Sequence, residues 1–420
     1  MGARFPYRLF LFAFLGWTFD FYDLVLLGFV KADVGRDLGL TPHAEAWMLS
    51  VALGASGLGG IIAGALADRV GKRTMLAATV LVYSLGSLIA GLAPSFAVFL
   101  AGRTVVGLGV GGEWAIGHGL VAEAVEARFR GRASALLQVG EPVGVALAAI
   151  AGYLLLPHVG WRALMIGSSA TGLLALAARS SLHIPNVPAG ARPLRAKPAE
   201  AGCSRARLLR ELLAARVGGR FAKAWLLGVL KMGTYWTCYT WLPSFLVGAM
   251  HQGVARSLGW MLTAQLGQLG GMVSFGVLSD RFGRRPAFCA FSLVTAAGVG
   301  PLAFGWSWLS LHPLAFWAAM LALGFGSGCT AGFGALLSEL FPTEIRATAM
   351  GTTYNLARSA QLLAPLLVER AVAWRGLEGG LSVPFVLALA TAAWVWALPE
   401  TRGITLPSLR GERALDDREG

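Results

Sequence analysis

The chain has 420 residues, 56% of them hydrophobic and 14% charged, with a formal net charge of +13. Soluble domains carry about a quarter charged residues, so this composition, with a mean hydropathy of +0.63, excludes an ordinary soluble protein and implies a membrane-embedded one. The basic excess would suit nucleic acid, but the arginines and lysines gather in alternate connectors, the pattern of cytoplasm-facing loops, so no nucleic-acid partner is expected. Cys203, Cys238, Cys289 and Cys329 show neither metal spacing nor a disulfide framework, and no metal or cofactor is expected.

Apolar runs of roughly twenty residues, each enough to cross the hydrocarbon core, recur along the whole chain. Twelve spans are predicted, near 8–30, 46–67, 74–93, 95–123, 133–157, 161–181, 221–247, 257–279, 286–305, 311–338, 346–370 and 380–398. The first contains Asp20 and Asp23 and lacks a small-residue cleavage site, so it reads as a span and not as a signal peptide. An even number of spans puts both termini on one side. Connectors on that side hold Arg69, Lys72, Arg73, Arg128, Arg130, Arg132, Arg281, Arg284, Arg285 and Arg346, whereas the opposite ones hold little beyond Lys31, Arg36, Arg256, Arg370 and Arg375. Both termini are therefore expected to be cytoplasmic, in an integral protein of the inner (plasma) membrane surrounded by lipid.

Residues 182–220 form the one long polar insertion, opened by Pro185, Pro188, Pro193 and Pro198. It divides the chain into an N-terminal six-helix bundle over 1–181, a cytoplasmic linker over 182–220, a C-terminal six-helix bundle over 221–398 and a cytoplasmic tail over 399–420. Within the linker, SRARLLRELLAAR (204–216) reads either as a basic amphipathic helix lying on the inner leaflet or as a charged tether.

An internal repeat supports the division. GALADRVGKR (64–73) returns about 210 residues later as GVLSDRFGRR (276–285), each copy set between two apolar runs. The first glycine lets neighbouring helices approach closely, the aspartate offers a carboxylate to a helix N-terminus, and the second glycine allows a tight turn. AEAVEARFRGRA after span 4 is matched by SELFPTEIRATA after span 10, and PETRG (399–403) closes the last span. These stretches resemble the signature motifs of the major facilitator superfamily, and the PETRG ending is similar to that of its sugar porters. The resemblance implies an all-α membrane protein, with twelve transmembrane helices in two pseudo-symmetric six-helix bundles. It also implies an inner gate, latched in this chain by Asp68, Arg69, Arg73, Glu123, Arg132, Asp280, Arg281, Arg285, Glu339 and Arg346.

Ionisable groups inside spans are expensive and mark function by default. Asp20 and Asp23 lie three apart on span 1; span 4 carries Arg103, Glu113 and His118, span 5 Glu141, span 7 Lys231 and span 11 Arg358. At about 1.5 Å per residue, Asp23 and Arg103 fall at one depth, and Asp20, Glu113, Glu141, Lys231 and Arg358 form a second layer nearer the inner side. FYD in span 1 resembles GYD of proton-coupled sugar porters, which implies that Asp23 takes the proton beside Arg103. Asp20, Glu113 and Glu141 are further proton-coupling candidates.

Span 11 reads TTYNLARSAQLLAP, and with GLGVGGEW, GWR at Trp161–Arg162 and WLP at Trp241–Pro243 it resembles the sialate and monocarboxylate proton symporters. That resemblance implies a carboxylate anchor at Arg358, with neutral hydrogen bonds from Tyr354, Asn355 and Gln361. Lys231, Tyr235, Glu113 and Trp17 are further binding candidates. Glu141 and Lys231 depart from the family pattern as a compensating pair or as a change of substrate. His118 is expected to bond a backbone carbonyl.

The expected function is secondary active transport of a small organic anion, a carboxylate, as a proton symporter acting as a monomer by alternating access. Sugar or polyol symport and drug–proton antiport are the alternatives within transport, and a sensor that binds without turnover is a third class. No catalytic residues are assigned, because the chain holds no His cluster, Gly-x-Ser-x-Gly or phosphate loop.

Overall fold

The structure is a computed structural model that describes residues 7–125, 130–170, 215–250, 254–342 and 345–402. The linker through 214, with nearly all of the 204–216 segment, and the tail beyond 402 lie outside the described residues. So do Glu344 and the side chains of Asp68, Arg69, Glu123 and Arg132.

The described residues are helical, without strands. Hydrocarbon offers no hydrogen bonds to a backbone, so each crossing must satisfy its own amides and carbonyls. Spans 1 to 4 are Tyr7–Asp37, Pro42–Val70, Lys72–Gly91 and Phe96–Ala124. Span 5 comprises Arg130–Gln138, Gly140–Ile150 and a π-helical turn at Ala151–Leu155. It runs into Leu156–Ser169, where Gly160 turns the chain back to begin span 6. Spans 7, 8 and 9 are Ala215–Met250, Val254–Phe282 and Arg284–Phe304. Span 10 joins Pro313–Ser327 to Phe333–Leu340 through a 3₁₀ turn, and span 11 joins Arg346–Ser359 to Ala364–Arg375 in the same way. Span 12 is Leu377–Trp394 with a closing turn at Val395–Ala397.

Nine helices among the described residues are long and apolar enough to cross a membrane. One of these, Ala133–Ser169, contains span 5 and the described part of span 6. Spans 7 and 11, which carry buried charge, bring the number of crossings to twelve.

The two halves pack alike. Span 4 lies against spans 2 and 3, span 1 against span 5 and span 3 against span 6; in the second half span 10 lies against 8 and 9, span 7 against 11, and span 9 against 12. The bundles meet through spans 2 and 11, 5 and 8, and 1 and 7. The turns repeat as well: Gly71 (φ 89°) and Gly283 (φ 107°) occupy the same place in the two signature loops. Gly160 (φ 75°) and Gly376 (φ 71°) do so between spans 5 and 6 and spans 11 and 12. Positive φ is open to glycine and strained for other residues.

The seam between spans 2 and 11 is close enough to require glycine. A Cβ on Gly57 would lie 1.5 Å from Ser359 Oγ and 3.0 Å from the Asn355 carbonyl oxygen, and one on Gly60 would lie 2.4 Å from Asn355 Cγ. Ser359 Oγ donates to the Gly54 carbonyl at 3.2 Å across the same seam. Forcing a side chain into such a contact costs about 1–3 kcal/mol. Gly57→Leu should therefore lower the thermal midpoint of the detergent-solubilised chain. Gly64 and Gly276, expected from the sequence to let helices approach closely, instead have open space around their Cβ positions. Gly64→Leu should therefore leave the midpoint unchanged; equal midpoints for the two variants would refute the close seam.

Candidate transport site

Among the described residues, seven acidic or basic side chains lie buried in the helices: Asp20, Asp23, Arg103, Glu113, Glu141, Lys231 and Arg358, none more than 3% exposed. They fall into three groups.

The first group lies within the N-terminal bundle. Arg103 Nη1 of span 4 donates to Asp23 Oδ2 of span 1 at 2.6 Å. Asp23 Oδ1 accepts from Ser87 Oγ of span 3 at 2.6 Å and from Ser168 Oγ of span 6 at 2.8 Å. One carboxylate thus gathers four spans, with both oxygens engaged. A buried ion pair is sustained by further hydrogen bonds; the two serines supply them to the carboxylate, whereas Arg103 Nε and Nη2 have no partner among the described residues.

The second group straddles the seam. Arg358 of span 11 has no hydrogen-bond partner on Nε, Nη1 or Nη2 among the described residues. Its charge acts on the neighbouring carboxyl groups of Asp20 and Glu113, and Asp20 Oδ1, Asp20 Oδ2 and Glu113 Oε1 likewise have no hydrogen-bond partner among the described residues. Aromatic rings enclose this group. Trp114 of span 4 stacks on Tyr354 of span 11 at 4.0 Å between centroids and 5° between planes. Phe21 of span 1 stacks on Trp236 of span 7 at 5.6 Å and 11°, and Arg358 Cζ lies 6.0 Å from the Trp236 ring. Trp17 meets Phe21 edge-on at 4.8 Å. Tyr354 and Arg358 are one helical turn apart, so span 11 presents its ring and its cation together. Gln361 is otherwise engaged: its Nε2 donates to the carbonyls of Ala357 and Val229, which holds the 3₁₀ break against span 7. Asn355 packs its amide over Gly60.

The third group contains Glu141 and Lys231, and here the sequence reading needs refinement. They make no direct ion pair. Glu141 Oε2 accepts from Gln138 Nε2 at 2.6 Å, and its Oε1 accepts from Gln268 Nε2 of span 8 at 2.7 Å. Lys231 Nζ has no hydrogen-bond partner among the described residues. Tyr235 sits beside Glu141 and Tyr239, 4.6 Å from the latter ring. His118 pairs its Nδ1 with the Trp114 carbonyl at 3.0 Å.

The signature-loop end of the second bundle is braced. Arg284 grips Glu339 through Nε (3.1 Å) and Nη2 (2.8 Å), and its Nη1 reaches Asp280 at 2.6 Å. Thr401 Oγ1 donates to Glu339 at 2.6 Å. Arg285 Nη2 donates to the Trp396 carbonyl, and its guanidinium lies over that ring. Arg281 lies over Phe282, and Arg346 is half-buried at the start of span 11. Asp280 does not cap span 9. Glu400 does, accepting the backbone N–H groups of Arg284 (2.7 Å) and Arg285 (3.0 Å) as well as those of Thr401 and Arg402. Asp280 sits a turn before the loop and within reach of the Arg284 guanidinium, whereas Glu400 arrives from span 12 in front of the exposed helix start. These contacts all lie within the C-terminal bundle. In the first half, Arg73 lines a small cavity of about 180 Å³ with Leu9, Phe12 and Leu120.

At the opposite end a cavity of about 460 Å³ is lined by Lys31, His43, Glu45, Trp241 and Glu369, among others. His43 of span 2 meets Glu369 of span 11 at 3.1 Å, and Lys31 of span 1 lies 4.5 Å over the Trp241 ring of span 7. Nearby, Arg162 and Trp161 of the GWR motif both hold Asp37 at the end of span 1.

Twelve crossings in two matched halves around a buried polar centre define a secondary transporter. The chain belongs to the Major Facilitator Superfamily, whose model matches residues 9–274 and 251–415. It is 29% identical to the niacin transporter of Acinetobacter baylyi over 97% of both chains. It is 31% identical to a probable 4-methylmuconolactone transporter of Cupriavidus pinatubonensis, over 94% of this chain and 90% of that one. The crystal structure of a D-xylose-proton symporter superposes with a TM-score of 0.76 at 20% identity, covering 96% of this chain and all of that one. It is thus an integral membrane transporter and not an enzyme.

Burial pushes the Glu400 carboxyl up, but four backbone N–H donors outweigh that and hold it below its ordinary value of 4.5. A carboxylate depressed in the folded state adds stability that is present above its ordinary value and is lost as pH falls through the depressed one. Glu400→Gln should therefore lower the thermal midpoint at neutral pH, and the gap to wild type should close as pH falls below 4.5. A gap that stays constant across that range would show that the carboxylate charge is not what holds the cap.

Proposed function

We propose that this chain is a proton-coupled symporter of a small, flat organic acid. It works as a monomer by alternating access, with both termini and the 182–220 linker in the cytoplasm and the six-helix halves 1–181 and 221–398 as the moving bodies. The observation that carries the reading is Arg358, a buried guanidinium without a hydrogen-bond partner among the described residues, set among stacked aromatic rings and beside two carboxyl groups. A planar fork of donors matches a carboxylate bidentately, and parallel rings accept a flat hydrocarbon body. The cargoes in the relatives' names, niacin and 4-methylmuconolactone, are small ring acids. Likeness to the xylose symporter concerns the fold.

Coupling follows from charge. Two carboxyl groups side by side in a cavity of low dielectric share one proton, so Asp20 and Glu113 together supply one negative charge to balance Arg358. An arriving carboxylate takes over that balance at the guanidinium. The displaced carboxyl pair must then accept a second proton, because an uncompensated buried charge costs several kcal/mol. Asp23, with its partners in spans 3, 4 and 6, is a second proton site from which the N-terminal bundle senses the load.

Two experiments test this reading. Arg358→Gln should abolish binding of benzoate and nicotinate to the purified chain, and Arg358→Lys should weaken it by about ten- to a hundredfold, since one ammonium cannot copy the fork. If the Gln variant binds both acids as wild type does, the anchor is wrong. In proteoliposomes, Asp23→Asn should lose uphill accumulation driven by a proton gradient while keeping counterflow of an identified substrate; loss of both would make the Asp23–Arg103 pair purely structural.

A further inference from the structure

Lys231 is the buried cation that the arrangement at Arg358 leaves unused. It is 1% exposed, and its Nζ has no hydrogen-bond partner among the described residues. Its electrostatic neighbours are the Glu141 carboxylate and the thiols of Cys329 and Cys238. Glu141 does not quench it by contact, because Gln138 and Gln268 hold one carboxylate oxygen each, at 2.6 and 2.7 Å. On spans 7 and 8, Gln268 Oε1, both amide atoms of Gln265 and the hydroxyls of Tyr235 and Tyr239 likewise have no hydrogen-bond partner among the described residues. An ammonium left so in a low-dielectric interior costs several kcal/mol unless an acceptor reaches it.

Rings link the two cations: Tyr235 meets Trp236 at 5.5 Å between centroids, and Arg358 Cζ lies 6.0 Å from the Trp236 ring. Lys231 lies one turn from Tyr235 on span 7, and Arg358 lies one turn from Tyr354 on span 11. The Glu141 charge is felt at both tyrosines, and the Arg358 charge at Tyr354. A flat molecule whose carboxylate sits on Arg358 therefore extends along the tyrosines towards Lys231. A monoacid with an apolar far end would bring hydrocarbon to an unpaired ammonium. A second anionic group would neutralise it.

We propose that Lys231 forms a second anion subsite, with Glu141, Gln138 and Gln268 as its supporting clamp, and that the preferred substrate is a small flat dicarboxylate. This rests on the reading of Arg358 as the first carboxylate anchor. A lysine suits the second position because its ammonium is a compact point charge that tolerates varied geometry at the far end of the molecule.

The test is binding of benzoate, isophthalate and the monoamide 3-carbamoylbenzoate to the purified full-length chain, measured by calorimetry. Isophthalate should bind wild type at least about tenfold more tightly than either monoacid, the scale of a charge-assisted hydrogen bond. Lys231→Met should remove that advantage, so that the variant binds isophthalate no more tightly than benzoate, and Lys231→Arg should restore part of it. Equal affinities for isophthalate and benzoate in wild type would overturn the proposal, as would a Lys231→Arg variant that behaves like Lys231→Met. The anchor reading fails separately. If isophthalate keeps a Lys231-dependent advantage but no acid responds to Arg358→Gln, the first anchor falls and the second stands. If none of the three acids binds wild type, both fall.

Discussion

A charge cannot be left unpaired inside a bilayer-embedded bundle, and the rest of this structure is arranged around that constraint. Of the seven buried ionisable groups, Asp23 and Arg103 cancel each other in direct contact. The remainder are three acids and two bases. With one proton shared between Asp20 and Glu113 the total is zero, and any anion that enters must bring its own neutralising charge. The proposed proton coupling needs no separate device: it is the electroneutrality of a buried layer. The acids of this layer come from the first half and the unpaired cations from the second, so the balance exists only while both bundles face the same cavity.

The backbone symmetry makes the chemical asymmetry legible. The signature loops place their glycines at the same positive φ, and the packing of spans 1 to 6 recurs in spans 7 to 12. Side chains break the repeat. Span 5 carries an acid beside its interruption at Val139, and span 11 carries a base beside its 3₁₀ turn. Interrupted helices are where such folds expose polar backbone and side chains at the midplane. The repeat thus supplies two similar frames, and the binding chemistry comes from what each frame holds differently.

Much of this could be read from the sequence, and the residues show why. Span number and order follow from apolar run length, because hydrocarbon thickness fixes it. The shared depth of Asp23 and Arg103 follows from helical rise. The aromatic stacking of Trp114 on Tyr354 and of Phe21 on Trp236 was not legible, since it depends on how two bundles are pressed together. Gln268 escaped for the same reason: a neutral amide in span 8 carries no signal until Glu141 is seen opposite it. Arg284 and Glu400 were within reach, the one in the second signature loop and the other in PETRG, but a motif names residues without naming partners. Only the fold shows that PETRG caps span 9 with a carboxylate, and that Asp280 turns to its own loop.

The distribution of strong and weak contacts bears on how such a molecule moves. Charge-assisted contacts such as Asp23–Arg103, Asp37–Arg162 and Arg284–Glu339 lie within a bundle, where they hold the helices of one body together. Across the seam the contacts are mainly stacked rings and glycine-lined approaches, which can slide with little loss because they have no single required direction. Beside the neutral Ser359–Gly54 hydrogen bond and Lys31 over the Trp241 ring, two further exceptions stand at the seam among the described residues. One is His43–Glu369, at the end away from the signature loops. The other is Gln268 donating to Glu141 beside Lys231, in the buried layer itself. A carboxylate arriving at Lys231 would compete with Glu141 for that field and for the amide that ties span 8 to span 5. The proposed second subsite would therefore connect occupancy to a strong contact between the bundles, at a depth where breaking that contact without a substitute would strand a charge.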